Sequence, residues 1–379
     1  MLGALAILAA WPQAAEAAWY NASWPYRKAI TIDHTKVPNT NQTNFPVLIN
    51  RTDTDWKSTG NGGHVGKSDG TDILFTSADG TTKLDHELET YTATTGAVIA
   101  WVRIPTLSTS TDTVLYLYYG NAGAASQQNA TGVWDSNYKG VWHVPDGTTL
   151  TANDSTSNAN NGTLTNTPTA TTGQIDGAGN FVAASSQYIA TGSGSSLNIT
   201  GDITLSAWIK TDSATGHAIF DRYKGSGSFD GYGFDAGTQN FHKVSYWSSV
   251  KGVWVGGNTS IDDSAWHYVV VSVSGTTATF YNNGSADGTP ASNAPGTWTA
   301  SPTSAIGGYN GGSQGFFNGK IDEVRVSAYA RSADWIATEY NNQASPATFY
   351  NISTEEARVS NQVQLQGGAT LRGVSKLGQ

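Results

Sequence analysis

From Ala18 onward the chain is a succession of short β-prone runs broken by turn clusters, with no alternation of strands and long helices. That pattern excludes βαβ units and a parallel sheet, and leaves antiparallel sandwiches or barrels. The runs are 27–32, 45–49, 72–75, 83–91, 98–104 and 113–119, then 203–210, 217–223, 266–273 and 277–284. In Thr113 to Tyr119, Val114, Tyr116 and Tyr118 share one face, and Leu115, Leu117 and Tyr119 share the other. Both faces are apolar, so a central strand covered on both sides is expected. Asn283-Gly284 marks a tight hairpin turn. Phe316 to Val326 reads as a further hairpin-like run.

Gly120 to Gly132 is small and polar, the composition of a linker. It divides the chain into two antiparallel β-sandwich domains, 18–132 and 133–350, an all-β protein with one short C-terminal helix. Ser332 caps that helix, Asp334 lies in its first turn, and Trp335, Ile336 and Tyr340 form its apolar stripe. Asn341-Asn342 is expected to end it. Residues 351–379 read as a Gly-punctuated tail. Its loose repeat of about six residues between Val363 and Gly378 fits either the start of a stalk or a frayed end.

The N-terminus carries a location signal. Leu2 to Ala10 is apolar, and Ala15-Glu16-Ala17 fits a small-residue cleavage site, so 1–17 is expected to be the remnant of an export signal. The usual basic segment before it is missing, which points to a start upstream of Met1. No run approaches the ~20 apolar residues that span a bilayer. There is no cysteine, which excludes disulfides and thiol chemistry. The formal charge of −9, without a basic cluster, excludes a nucleic-acid footprint.

Several runs in the second half resemble, in order, the LamG-like (concanavalin A-type) jellyroll. They are the loop Asp154 to Thr163, Gly179-Asn180-Phe181 with Gln187-Tyr188-Ile189, and ITLSAWIK at 203–210. WHYVVVSV at 266–273 and TATFYNNG at 277–284 follow, and then Gly319 to Val326 with Ala330-Arg331-Ser332. Ser186-Gln187 departs from the family's frequent acidic residue there. The first half (WPYRKAITID, NFPVLIN, DGTDILFTSADGTTKLDHELETY, AWVRIPTLS, LYLYYGN) resembles a β-sandwich of unknown function that precedes such domains in secreted bacterial and archaeal proteins. The resemblance implies architecture and a secreted or cell-surface location.

Three candidate sites follow. A hard cation such as calcium wants six to eight oxygens. Asp154, Asn158 and Asn160 alternate in a turn-rich loop, as a partial cage or as self-capping turn residues. The resemblance implies that Asp322 closes a structural calcium site with them. For sugar, the stretch 231–257 is dense in aromatics, of which Trp247, Trp254, Tyr246 and Tyr232 are the candidate platform. Trp208 and Trp266 sit in apolar runs and are assigned to the core. For hydrolysis, Asp85, Glu87 and Glu89 share one strand face, as paired carboxylates must. Lys83 and the neighbouring Thr residues make that face read as solvated. Asp322 and Glu323 are expected on opposite faces, and His143 as a packed residue at the domain entry.

No nucleophile elbow or zinc-protease motif is present. The expectation is therefore a non-catalytic module that binds polysaccharide or glycoprotein glycans, in adhesion or substrate targeting. A spacer or stalk tip of a larger surface protein, and a glycosidase using 85–89, are the alternatives.

Overall fold

The computed structural model describes residues 17–145, 149–213, 217–224, 230–237, 242–297, 302–309 and 311–359. Residues 1–16 of the expected signal remnant, and the repeat at 363–378, lie outside the described residues.

The first sandwich contains β1 (Tyr26–Ile32), β2 (Gln42–Thr52), β3 (Leu74–Ser77), β4 (Lys83–Leu84), β5 (His86–Thr92), β6 (Ala97–Leu107) and β7 (Thr113–Tyr119). A short helix, α1 (Ala130–Val133), leads into the second. There the strands are β8 (Tyr138–Trp142), β9 (Thr163–Thr165), β10 (Thr169–Thr172), β11 (Gly177–Phe181), β12 (Tyr188–Gly192), β13 (Ile203–Lys210), β14 (His217–Lys224) and β15 (Asp230–Ala236). They continue with β16 (Val244–Ser248), β17 (Trp254–Gly256), β18 (His267–Ser274), β19 (Thr277–Asn282), β20 (Ser285–Ala286), β21 (Ala291–Ser292), β22 (Ser304–Ile306) and β23 (Gly319–Ser327). The chain closes with α2 (Ala333–Ala344), α3 (Pro346–Phe349), β24 (Tyr350–Ile352) and β25 (Glu356–Ala357).

In the first sandwich the sheet β24-β1-β7-β3-β4, with β25 also on β1, faces the sheet β2-β6-β5. As expected, β7 is central: Leu115, Leu117 and Tyr119 enter the core, while Trp19, Tyr20 and Trp24 cover Tyr118 from the other side. The segment assigned above to a tail therefore begins differently. Tyr350–Ile352 and Glu356–Ala357 return to pair with β1, where they cover an edge that would otherwise present unpaired backbone groups. Strands of three and two residues are too short to show in a periodicity.

The second sandwich packs a nine-stranded sheet, β10-β11-β23-β13-β18-β19-β20 with β8 on β23 and β21 on β19, against a seven-stranded one, β17-β16-β15-β14-β22-β12-β9. Alternation sorts β13: Ile203, Leu205, Ala207 and Ile209 enter the core between the sheets, and Trp208 points outward. Phe316 to Val326 is not a hairpin. Gly319–Ser327 is one strand inside the nine-stranded sheet, because β11 and β8 share one of its sides and β13 takes the other.

The outer face of that sheet is covered too. Helix α2 starts at Ser332, whose side chain accepts from the Trp335 N–H at 3.2 Å. Trp335 enters the first sandwich's core, and Ile336 and Tyr340 pack on Trp208 and Tyr268 of the second. The helix runs on through Asn341 and Asn342 because their amides have work elsewhere. Asn342 accepts from Leu48 N–H at 2.7 Å and donates to Leu48 C=O at 3.0 Å, satisfying an outer position of β2, and Asn341 donates to Lys36 C=O. A third apolar cluster, Leu48, Ile99, Trp101, Val133, Trp134, Tyr138, Val141 and Ile175, joins the two sandwiches directly.

Candidate functional site: an aromatic cleft on the second sandwich

Strands β14 to β17 lie side by side in the seven-stranded sheet, and alternation gives them two faces. Phe220, Tyr232, Phe234, Val244 and Tyr246 point into the core. The opposite face carries Asp221, Tyr223, Gly233, Asp235, Ser245 and Trp247. Pairing aligns Asp221 with Gly233, Gly233 with Trp247, and Trp247 with Trp254, a single row across four strands. Gly233 leaves the middle of the row open. A Cβ there would lie 3.3 Å from Asp221 Oδ2, 3.3 Å from Trp254 and 3.8 Å from Asp235 Oδ1. The result is a cleft of ≈ 210 Å³ lined by Asp221, Tyr223, Gly233, Trp247, Trp254, Tyr309 and Gln314.

The walls are held by ring contacts. Tyr223 meets Trp247 edge to face at 4.6 Å between centroids, and Trp254 meets Tyr309 tilted at 6.2 Å. The Tyr309 hydroxyl donates to Asp235. Burial raises the Tyr223 phenol above its ordinary range, with the Asp221 charge adding to it. Such a surface offers aromatic faces to C–H groups and carboxylate and amide groups to hydroxyls.

Of the four aromatics expected from the sequence, Trp247 and Trp254 line this cleft. Tyr232 and Tyr246 must be corrected: both are fully buried and face the core, because each is one residue out of phase with the outward positions. Asp221, Tyr223, Tyr309 and Gln314 were not foreseen. The alternation of Asp221-Arg222-Tyr223 could have flagged the first two. Tyr309 and Gln314 reach the site only through tertiary folding.

Residues 183–337 match the concanavalin A-like lectin/glucanase superfamily in its laminin G form, and residues 69–160 match a domain of unknown function. The second sandwich is a concanavalin A-like, laminin G-type domain. Among curated proteins no sequence matches the chain. Solved structures show distant likeness. The binding domain of a paraclostridial mosquitocidal protein is 14% identical, with 54% of this chain and 52% of that one covered and a TM-score of 0.42. Domain 4 of an extracellular arabinanase from Geobacillus stearothermophilus, solved with arabinotriose, is 18% identical over 55% and 100% (TM-score 0.40). The ligand-binding domain of botulinum neurotoxin serotype D, solved with N-acetylneuraminic acid, is 12% identical over 57% and 53% (TM-score 0.41). The chain thus spans about half the length of the two toxin structures.

Calcium is expected at Asp154, Asn158 and Asn160 from their spacing and at Asp322 from the family resemblance, and these donors as arranged do not form a shared cage. Asp154 Oδ1 accepts from the N–H groups of Val141 and Thr156, and Oδ2 from the Thr156 hydroxyl and the Asn160 N–H. Its lone pairs are committed to closing its own loop. Asn158 and Asn160 are oriented by donating their Nδ2 groups to the Tyr138 and Lys139 carbonyls, and Asn160 Oδ1 accepts from the Ser196 hydroxyl at 3.4 Å. Asp322 instead holds the Gln174 and Ile175 N–H groups at 2.8 and 3.1 Å and lies in the field of Glu323 and Glu89.

The face of β5 that reads as solvated is not. Asp85 alone sits at its edge, paired with Arg103 and Asn129. Glu87, its side chain 13% exposed, and Glu89, its side chain 2% exposed, lie where the first sandwich meets the laminin G-type domain. Glu87 accepts from Trp134 Nε1 at 2.8 Å and from Ser155 Oγ at 2.5 Å, and lies 3.3 Å from His143 Nε2. Glu89 accepts from Trp101 Nε1 at 2.8 Å. His143 is indeed packed at the domain entry, with Nδ1 2.7 Å from Glu323 Oε1. Burial opposes its charge, but Glu323, Glu87 and Glu89 outweigh it and hold the imidazole well above its ordinary value.

Asp322 and Glu323 do not point to opposite faces either. Opposite β13 the register jumps from Trp208↔Asp322 to Ser206↔Arg325, so two residues face Ala207. This is a β-bulge, and Glu323 adopts φ 53° in it. The bulge resets alternation and brings both carboxylates to the domain contact.

Proposed function

We propose that this is a non-catalytic, secreted or cell-surface module whose laminin G-type domain binds saccharide in the cleft of Trp247, Trp254, Tyr223 and Tyr309. The observation that carries the reading is the row Asp221–Gly233–Trp247–Trp254. A glycine floor between a carboxylate and two indoles offers a flat, apolar, hydroxyl-accepting slot. Membership of a superfamily of lectins and glucanases supports it as analogy only. Polysaccharide or glycoprotein glycans are the ligand class, and adhesion or substrate targeting is the role. A glycan array with the intact chain tests it, repeated with Trp247→Ala and Trp254→Ala. Hits lost in both variants, with the fold retained by circular dichroism, support the reading. An array without hits returns the protein to the spacer reading.

One observation favours a second reading. Asp221 Oδ2 and Asp235 Oδ1 both approach the same point above Gly233, at 3.3 and 3.8 Å. Glycosidases need two carboxylates facing one bond; Asp221 lines the cleft and Asp235 lies just behind it, accepting from Tyr309, whereas Glu87 and Glu89 lie at the domain contact. Reducing-sugar release that disappears in Asp221→Asn, with binding kept, would establish that reading in place of the first.

A further inference from the structure

The contact between the two sandwiches carries more negative charge than its cations balance. Glu87 and Glu89 come from β5, Asp322 and Glu323 from β23, and Glu339 from α2. Against them stand His143 and Arg325. Arg325 is committed on the far side: it donates to Glu323 Oε2 at 2.8 Å and Glu339 Oε1 at 3.1 Å, and its guanidinium lies over Trp101 and Trp134. His143, Glu89 and Glu323 remain together, each offering a ligand atom within 4.8 Å of the others.

Two further observations point to a ligand. The Glu89 side chain is 2% exposed, and its Oε1 has no hydrogen-bond partner although Oε2 takes the Trp101 N–H. Asp322, fully buried and in the field of Glu89 and Glu323, leaves Oδ1 without a partner. A buried, unsatisfied carboxylate oxygen is costly. Holding one proton on each acid would lower that cost. A divalent cation bound by Glu89 lowers the same cost without protons, by neutralising the charge that Asp322 faces and giving the Glu89 carboxylate a partner.

The spacing suits a small nitrogen- and oxygen-seeking ion. His143 Nδ1 lies 2.7 Å from Glu323 Oε1 and 3.6 Å from Glu89 Oε2. Those values bracket the roughly 3.3 Å between ligand atoms in a tetrahedral zinc site with ~2 Å bonds. Neutral imidazole with two carboxylates is a donor set that zinc accepts, and Glu87 at His143 Nε2 is the outer hydrogen bond that orients a ligating imidazole. We propose that Glu89, His143 and Glu323 form a divalent transition-metal site that clasps the first sandwich to the laminin G-type domain. One ligand comes from the first sandwich and two from the second, so the ion cross-links them. The site is separate from the cleft and independent of its saccharide reading.

The test uses the intact chain, stripped with chelator under denaturant and refolded with or without Zn²⁺. Expected are one Zn²⁺ retained per chain by elemental analysis, and an unfolding midpoint that rises with Zn²⁺ and falls back with EDTA. Glu89→Gln keeps the shape and removes one charged ligand, and should weaken zinc at least about tenfold in competition with a chromophoric chelator. Asp85→Asn, on the same strand but outside the site, should leave it unchanged. Cobalt in place of zinc reads the site without any variant, through tetrahedral d–d absorption that Glu89→Gln shifts. Sub-stoichiometric zinc with no change in midpoint overturns the proposal and leaves the acids sharing protons. Zinc retained equally by wild type and Glu89→Gln overturns it as well, by placing the ion elsewhere.

Discussion

The domain contact and the outer cleft use the same raw material and reach opposite results. Each combines strand carboxylates with tryptophans at alternate positions. At the contact, Glu87 and Glu89 lie under Trp134 and Trp101, whose indole N–H groups they accept, and Glu89 Oε1 and Asp322 Oδ1 are left without a protein partner. In the cleft, Asp221 and Asp235 are buried as well, but Gly233 leaves room beside them and the half-buried rings of Tyr223, Trp254 and Tyr309 line an open slot. The lesson is that an acidic row on a strand says nothing about its role until the covering layer is known. Glu87 and Glu89 were the catalytic alternative by pattern, and they are interior groups by position.

The comparison breaks most easily at Arg325. Arg325→Met leaves Glu323 and Glu339 buried without their cation, and should cost about 3–5 kcal/mol by urea unfolding. A variant as stable as wild type would mean that the contact does not depend on its charges. The next effect lies on the other face of β5. Burial holds the His86 imidazole down at about 4, with Lys83 and Asp85 the charged groups nearest it and Phe75 against its ring. A folded value below the unfolded ~6.5 means that its contribution is complete above pH 6.5 and is lost as pH falls toward 4. The loss is about 3 kcal/mol. His86→Phe should flatten that segment of the stability–pH curve, and an unchanged slope would assign acid sensitivity to other groups.

Asn342→Ala is a smaller test of the same contact. It strands the N–H and C=O of Leu48 in the interior, and the expected loss is about 2 kcal/mol in denaturant melts. Restoring the wild-type midpoint with Asn342→Asp, which can only accept, would show that the Leu48 carbonyl needs no donor. The cleft should behave in the opposite way. Gln314 is exposed at its rim, so Gln314→Ala should shift stability by no more than about 0.5 kcal/mol while weakening saccharide binding. A large stability loss with intact binding would reverse the assignment of the two regions.

The sequence by itself determined the class of fold and most strand positions. Strand runs such as Ile203–Lys210 and Thr113–Tyr119 declare themselves because alternation and β-branching act over neighbouring residues. It also determined the start of α2, since a cap is local chemistry, and two of the cleft's aromatics, since aromatic density is local too. Only the tertiary structure decided which side of each strand meets solvent. Tyr232 and Trp247 lie in the same aromatic stretch, and their directions depend on phase relative to a distant core. The bulge at Glu323, the return of Tyr350–Ile352 to β1, and the covering of Glu87 and Glu89 depend on contacts between residues far apart in the chain. Burial, and with it the energy of every charge at the domain contact, is set by what the far end of the chain brings to cover it.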